Sequence, residues 1–297
     1  MNKKVKSSLL LLTTAIIWGF AFVAQRVGTE HVGPLTFNGI RFFLGSLSLI
    51  PVILIFEREP LNNARLKDTF VFGVLAGVAL FAASILQQYG IMETKSAGKS
   101  GFITGLYTVL VPILNLFIFK KKTGINIWIG AAFSVSGLFL LCMTGNSLVF
   151  GRGDILLIIG AVFWACHILV IDKVAYRVST LKFSMTQFFV CGILGCLGAV
   201  LFERDIFSLS YILSAATPIL YAGIMSAGVA YTCQIVGQKD ADPTKASIIL
   251  STESVFSAIG GALLLPDEIM TARGYLGCLL IFLGIVLSQL NFSKQKA

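Results

Sequence analysis

Ten apolar stretches of about twenty residues punctuate this chain, near 8–27, 34–56, 69–91, 99–119, 125–145, 153–172, 181–203, 210–233, 243–265 and 271–291. A helix rises about 1.5 Å per residue, so each stretch can cross the roughly 30 Å of hydrocarbon in a bilayer. Within hydrocarbon a single segment satisfies its own backbone N–H and C=O groups only as a helix. The pattern predicts an all-α integral membrane protein with ten transmembrane helices. Only 12% of the 297 residues are charged, against about a quarter in soluble domains. The links between stretches are mostly too short to carry a soluble domain. The first stretch follows Lys3, Lys4 and Lys6 in the manner of a secretory signal. Its apolar run is longer than a signal's and further spans follow, so it reads as an uncleaved first helix.

The net charge of +9 falls almost wholly between the apolar stretches, which makes it topological information and not a nucleic-acid surface. Alternating the links across the membrane puts Lys3, Lys4, Lys6, Arg58, Arg65, Lys67, Lys120, Lys121, Lys122, Lys173, Arg177, Lys182, Lys239, Lys245, Lys294 and Lys296 on one side. The other side receives only Arg26, Lys95, Lys99, Arg152, Arg204 and Arg273, with Arg41 inside a stretch. Because cytoplasmic links are enriched in Lys and Arg, the expectation is a multi-pass protein of the cytoplasmic membrane with both termini in the cytoplasm. The six cysteines (Cys142, Cys166, Cys191, Cys196, Cys233 and Cys278) lie in apolar stretches without a C-x-x-C pair. They read as small packed hydrophobes, with no disulfide framework and no metal site expected.

The chain also matches itself. A shift of 146 residues pairs Ala15 with Ala161, Trp18 with Trp164, Phe37 with Phe183, Phe42 with Phe188 and Phe43 with Phe189. A shift of 147 pairs Ala83 with Ala230, Gln87 with Gln234, Gly90 with Gly237, Glu93 with Asp240, Ser100 with Ser247, Gly130 with Gly277 and Gly137 with Gly284. The division expected is a first five-helix repeat over 1–145 and a second over 146–297. Five is odd, so the second copy enters the membrane from the opposite side, the inverted arrangement that lets one midplane site face each side in turn.

The residues Ile17-Trp18-Gly19-Phe20-Ala21-Phe22-Val23 and Phe37-Asn38-Gly39-Ile40-Arg41-Phe42 carry a family resemblance, as do Ser251-Thr252-Glu253-Ser254-Val255-Phe256-Ser257, Leu265-Pro266-Asp267-Glu268 and Gly277-Cys278-Leu279-Leu280-Ile281-Phe282-Leu283-Gly284. In these the chain resembles the EamA-type ten-helix members of the drug/metabolite transporter superfamily over essentially its whole length. The resemblance implies two five-helix halves around a central cavity and secondary transport without ATP. It implies substrates such as amino acids, other metabolites or drugs, often exported. One departure stands out: the first half has Lys120-Lys121-Lys122 where the second has Pro266-Asp267-Glu268.

A charge in hydrocarbon costs at least about 2.5–3.5 kcal/mol, so intramembrane ionisable residues usually face a cavity or a partner. Arg41 lies seven residues past Pro34 and shares a face with Asn38, Gly45 and Ser48. It is a candidate contact for a substrate carboxylate, or a structural Arg serving helix-end carbonyls. Glu253, ten residues past Pro243, falls near the midplane. It is a candidate for binding a substrate amine or exchanging a proton, or else a member of a network that fixes helix packing. Gln88, His167 and Gln187 add polar groups, with Gln87, Gln234 and Asn115 beside them. Trp18 and Phe22 share a stripe with Gln25, and with Trp164, Tyr107 and Tyr231 they offer apolar walls and a cation–π surface. The glycine pairs Gly73/Gly77 and Gly101/Gly105 fit close helix packing within the bundle or a homodimer seam. Pro112 is expected to kink its helix.

Gly98-Lys99-Ser100 ends like a phosphate-binding loop, but Glu93 stands where that motif needs its first glycine, so a nucleotide site is set aside. With two histidines and no G-x-S-x-G or H-E-x-x-H constellation, an enzyme and a cofactor are not expected. The partners expected are a small-molecule substrate and the lipid bilayer, with protons as the candidate coupling ion. The competing class is a polytopic sensor or assembly protein that moves nothing.

A fluorescent protein that matures only in the cytoplasm, fused to either end of the chain, should give bright cells, and alkaline phosphatase fused at the same points should be inactive. Opposite results at the two ends would mean an odd number of crossings.

Overall fold

The computed structural model describes residues 3–57, 62–121, 123–142, 151–204, 208–269 and 271–290. Arg58, Lys122, Lys294, Lys296 and the expected 145/146 boundary therefore lie outside the described residues. Those described form helices α1 (Lys3–Gly28), α2 (Pro34–Phe56), α3 (Asn63–Thr94), α4 (Ala97–Phe119), α5 (Ile125–Cys142), α6 (Arg152–Val174), α7 (Thr180–Phe202), α8 (Ala216–Lys239), α9 (Pro243–Leu264) and α10 (Ala272–Gln289). No strand occurs among the described residues. Eight helices are long and apolar enough to cross a membrane, and α5 and α10 are shorter apolar helices. Large apolar side chains face outward, Phe56, Phe117 and Phe202 being 75–79% exposed, as lipid-facing surface requires.

Local chemistry sets the boundaries. Pro34 opens α2 with its φ already helical. The Asn62, Ser96 and Thr271 side chains accept the first free N–H groups of α3, α4 and α10. Ahead of α8 a short helix, Leu209–Ser214, stops at Ala215. Pro218 has no N–H for the Ser214 carbonyl and its ring crowds that oxygen, so the eighth span starts later than 210 and runs on to Lys239. Within α8, Tyr221–Ala230 is wound as a π-helix.

Two spans are interrupted. In α4 the bonding tightens at Leu106, whose N–H reaches the Ile103 carbonyl at 3.2 Å while Val109 N–H reaches Leu106 at 3.0 Å. In α9 the same i→i+3 bonding runs through Ser251 and Thr252, whose hydroxyls take the Ile248 and Ile249 carbonyls at 2.8 and 2.6 Å. Pro112 lies inside the helix Tyr107–Phe119, just past the interruption of α4, and has no N–H for the Thr108 carbonyl.

Glycine decides how closely the helices approach. A Cβ on Gly39 would lie 2.6 Å from the Cys196 backbone nitrogen, so α2 and α7 meet almost backbone to backbone. Gly130 and Gly284 do the same for α5 and α10, each facing the other's carbonyl. Gly73 and Gly77 sit against Thr186 and Gln187 of α7, and Gly101 against Ser257 of α9. Both glycine pairs singled out in the sequence are thus consumed within the chain, and a homodimer would have to use another surface. Helix α1 is stitched to α8 along one face: Ser7 and Thr14 donate to the Gly237 and Ala230 carbonyls at 2.6 and 2.9 Å, and Trp18 Nε1 donates to Ser226 at 3.3 Å.

Contacts between helix ends assign them to two faces. The starts of α1 and α9 and the ends of α2, α4 and α6 lie on a face rich in Lys and Arg, the basic face. At the opposite face the Glu203 carboxylate accepts from Leu35 N–H at 2.9 Å and Thr36 N–H at 2.8 Å, closing the N-terminus of α2. At the basic face Glu57, 146 residues earlier, accepts from Leu181 N–H at 3.2 Å and bonds the Ser179 hydroxyl, closing α7. Rings 146 residues apart also touch: Phe42 with Phe188 and Phe43 with Phe189, both with centroids 6.0 Å apart.

Gly39→Val should force α2 from α7, cost about 1–3 kcal/mol as overpacking does, and lower the thermal midpoint in detergent. Gly151→Ala, where a Cβ meets nothing within 4 Å, should move it far less.

Candidate functional site

Where α1, α2, α3, α4, α6, α8 and α9 converge, a narrow cavity of about 30 Å³ lies between Trp18, Ala21, Phe22, Gln25, Arg41, Gln87, Thr104, Tyr107, Trp164, Ile168, Ser226, Tyr231, Gln234 and Glu253. Positions 18, 21, 22 and 25 form one face of α1. Thr104 and Tyr107 flank the interruption of α4, and Glu253 opens the second half of α9 just beyond its interruption. The π-helical stretch of α8 adds Ser226, and the regular turn after it adds Tyr231 and Gln234.

The walls are aromatic. Tyr231 stands edge-on to Trp18 with centroids 4.6 Å apart and stacks on Trp164 at 6.2 Å, and Trp18 and Trp164 lie 6.1 Å apart. Such pairs add about 0.5–1.5 kcal/mol beyond burial, and they fix the ring positions. The fit is narrow: each of these rings is less than a tenth exposed.

The polar lining is under-used. Arg41 is 3% exposed and donates to no acceptor among the described residues. Its guanidinium carbon sits 4.7 Å from the centre of Phe42 and 5.6 Å from Phe37, a cation–π seat in place of a counter-ion. Glu253 is equally buried, with Oε1 unbonded, at the N-terminal end of a helix, where the dipole favours negative charge. No ion pair joins Arg41 to Glu253 among the described residues. Trp164 Nε1, Gln25 Oε1 and both amide atoms of Gln234 also lack a protein partner, and the Tyr107 hydroxyl faces the Glu253 carboxyl. Leaving a buried polar group unbonded costs about 1–3 kcal/mol. So many around one space is what a site for a polar guest looks like.

Of the residues proposed from the sequence, Trp18, Phe22, Arg41, Tyr107, Trp164, Tyr231 and Glu253 line this cavity. The other four lie on helix seams. Asn38 Nδ2 donates to the Ser84 carbonyl at 3.0 Å, tying α2 to α3. Gln88 Nε2 donates to the Gln25 carbonyl at 3.0 Å, tying α3 to α1. His167 Nε2 and Gln187 Oε1 share a hydrogen bond of 2.9 Å between α6 and α7. Sequence reasoning passed over Ala21, Thr104, Ile168 and Ser226. Ala21 was within reach, one step along the Trp18–Gln25 stripe. Thr104 and Ser226 carry residue types found throughout membrane helices and offered no signal.

Comparison with known proteins agrees on the class. The profile of the EamA-like transporter family matches residues 5–143 and again 151–290. An uncharacterized transporter of Archaeoglobus fulgidus is 28% identical over 289 residues, spanning 97% of this chain and 87% of its own. The uncharacterized transporter YoaV of Bacillus subtilis is 24% identical over 306 residues, spanning 98% and 99%. The uncharacterized inner membrane transporter YedA of Escherichia coli is 29% identical over 163 residues, about half of each chain. One crystal structure superposes with a TM-score of 0.77 at 18% identity, covering 95% of this chain and 96% of that one, a likeness of fold.

Gln187→Leu should orphan His167, lower the thermal midpoint by the equivalent of about 1–3 kcal/mol, and leave half-saturation for substrate unchanged. Arg41→Gln should do the reverse, shifting half-saturation while the midpoint holds.

Proposed function

The chain belongs to the EamA-like transporter family and is a multi-pass membrane transporter; from that premise we propose that it is a secondary transporter of a small zwitterionic metabolite, an amino acid or a close relative. The carrying observation is one buried cavity lined by an unpaired cation, Arg41, and an unpaired carboxyl, Glu253, between aromatic walls. Arg41 takes the substrate carboxylate, Glu253 its ammonium group, and Trp18, Trp164 and Tyr231 enclose the rest. A substrate that brings both charges completes both residues at once, which a singly charged solute cannot do.

Transport is by alternating access between two inverted five-helix units, 1–145 and 146–297, with α5 and α10 completing ten crossings. Three observations support that reading. The interruptions of α4 and α9 fall at matching positions of the two units, and broken helices in matching positions mark transporter binding sites. The carboxylates that close α2 and α7, Glu203 and Glu57, are 146 residues apart on opposite faces. Rings related by the same spacing touch each other, as residues beside a twofold axis must. The excess of Lys and Arg puts the basic face in the cytoplasm, with export as the direction of net flow. Glu253 exchanges a proton for the substrate ammonium group, which couples flow to the proton gradient.

Counterflow in proteoliposomes tests the proposal. Vesicles preloaded with an unlabelled amino acid should accumulate the labelled one transiently, and a protein that binds without moving substrate should not. Glu253→Gln should abolish uptake driven by a pH gradient while leaving exchange measurable. Unchanged pH-driven uptake would rule out Glu253 as the coupling group.

A further inference from the structure

The 146–147-residue self-match relates two charged clusters, one at each face. On the opposite face Arg26, at the end of α1, bonds Glu268 Oε1 through Nη1 at 2.8 Å and pairs with Asp267 through Nη2. The Arg26 hydrogen bond holds the exposed Asp267 carboxyl below the usual carboxylate range. Glu268 also accepts from Ala97 N–H at 2.6 Å and Gly98 N–H at 3.1 Å, so the same acid closes the N-terminus of α4. One contact set thus locks the ends of α1, α4 and α9 together beside the cavity.

Moving 146 residues on from Arg26 gives Asp172, and moving 147 back from Asp267 and Glu268 gives Lys120 and Lys121. Every sign is reversed. Asp172 ends α6 on the basic face, and Lys120 ends α4 there, where a helix C-terminus favours cations. The two ends are neighbours: Lys173 Nζ lies 4.0 Å over the ring of Phe119. Asp172 is half-buried and within electrostatic range of Lys121, Lys173 and Asp242. Asp242 itself caps α9, accepting from Thr244 N–H at 3.0 Å. Yet Asp172 makes no ion pair among the described residues. The latch on the opposite face is made, and among the described residues its sign-reversed counterpart on the basic face is not.

We propose that these are paired ion latches that close in alternation, Arg26 with Asp267 and Glu268 sealing one face of the cavity and Asp172 with Lys121 sealing the other. The inference rests on the alternating-access reading and adds the groups that set its equilibrium. The present structure is then the state closed at the opposite face. Closing the basic face draws Lys121, just past the end of α4, onto Asp172 of α6, and the pull of α4 on Ala97 and Gly98 releases Glu268 and with it Arg26. Helix α4 is the shared lever, held by its start in one state and by its end in the other.

The test uses Ser226→Cys, within the cavity, in a chain whose six native cysteines are replaced, labelled by a membrane-impermeant maleimide in vesicles of defined orientation. Glu268→Gln should raise labelling from the opposite face by about threefold, the scale of one ion pair. Asp172→Asn should raise labelling from the basic face and lower it from the other. Lys121→Gln should behave like Asp172→Asn, and the exchange of Asp172→Lys with Lys121→Asp should return both rates toward the parent. Rates that ignore Asp172→Asn and Lys121→Gln, or that move as with Glu268→Gln, overturn the latch. Labelling from one face only in the parent and in every variant would instead overturn alternating access itself.

Discussion

Hydrocarbon offers no hydrogen bonds, and that one deficiency organises this protein. Every backbone group must find a partner within its own helix or on a neighbour. Every polar side chain carried into the bilayer must be spent on a seam or gathered where polarity has a use. Most are spent. Thr14, Asn38, Gln88, Ser254 and Ser257 each bond a carbonyl of an adjacent helix, and close glycine contacts bring those carbonyls within reach. Some of the groups left over, on Asn115, Ser134 and Ser184 among others, lie elsewhere in the bundle. A set of them meets round one cavity, where Arg41, Trp164, Gln234 and Glu253 hold atoms that no protein group satisfies.

The two helix interruptions belong to the same economy. Tightening the bonding at Leu106 and at Ser251–Thr252 leaves the spans continuous in path but loosened midway, beside the cavity. In α9 the hydroxyls of Ser251 and Thr252 occupy the carbonyls that the break would expose. Glu253 then begins a fresh helix whose positive end lies under its carboxyl. Glycine-packed pairs, α2 with α7 and α5 with α10, approach almost backbone to backbone elsewhere in the bundle.

Much of this could be read from residues in order. Apolar runs near twenty residues gave the helices because length and hydrocarbon thickness share a scale. Arg41 and Glu253 stood out because a charge at that depth is costly. The aromatic residues of the cavity followed from spacing on α1 and from the self-match of Trp18 with Trp164. The seam residues could not be told apart from the lining: a glutamine that bonds a neighbouring carbonyl, such as Gln88, and one that faces the cavity, such as Gln234, are the same residue type at the same depth. Which way each points depends on helix rotation, and that is set by packing partners far away in the chain. The interruption of α4 directly follows Gly105 and precedes Pro112, whereas in α9 neither residue marks the break and the signal was the adjacent hydroxyl pair of Ser251 and Thr252.

The π-helical stretch Tyr221–Ala230 explains a small arithmetic oddity in the chain's self-match. Residues up to Phe43 match partners 146 positions on, whereas from Ala83 onward the partners lie 147 away. A turn bonded i→i+5 takes in one residue more than an α-turn, so an inserted residue can be swallowed without rotating everything that follows. Gln234 thereby keeps the place in α8 that Gln87 holds in α3, and one added residue in mid-helix is taken up without turning the cavity face of α8 toward lipid.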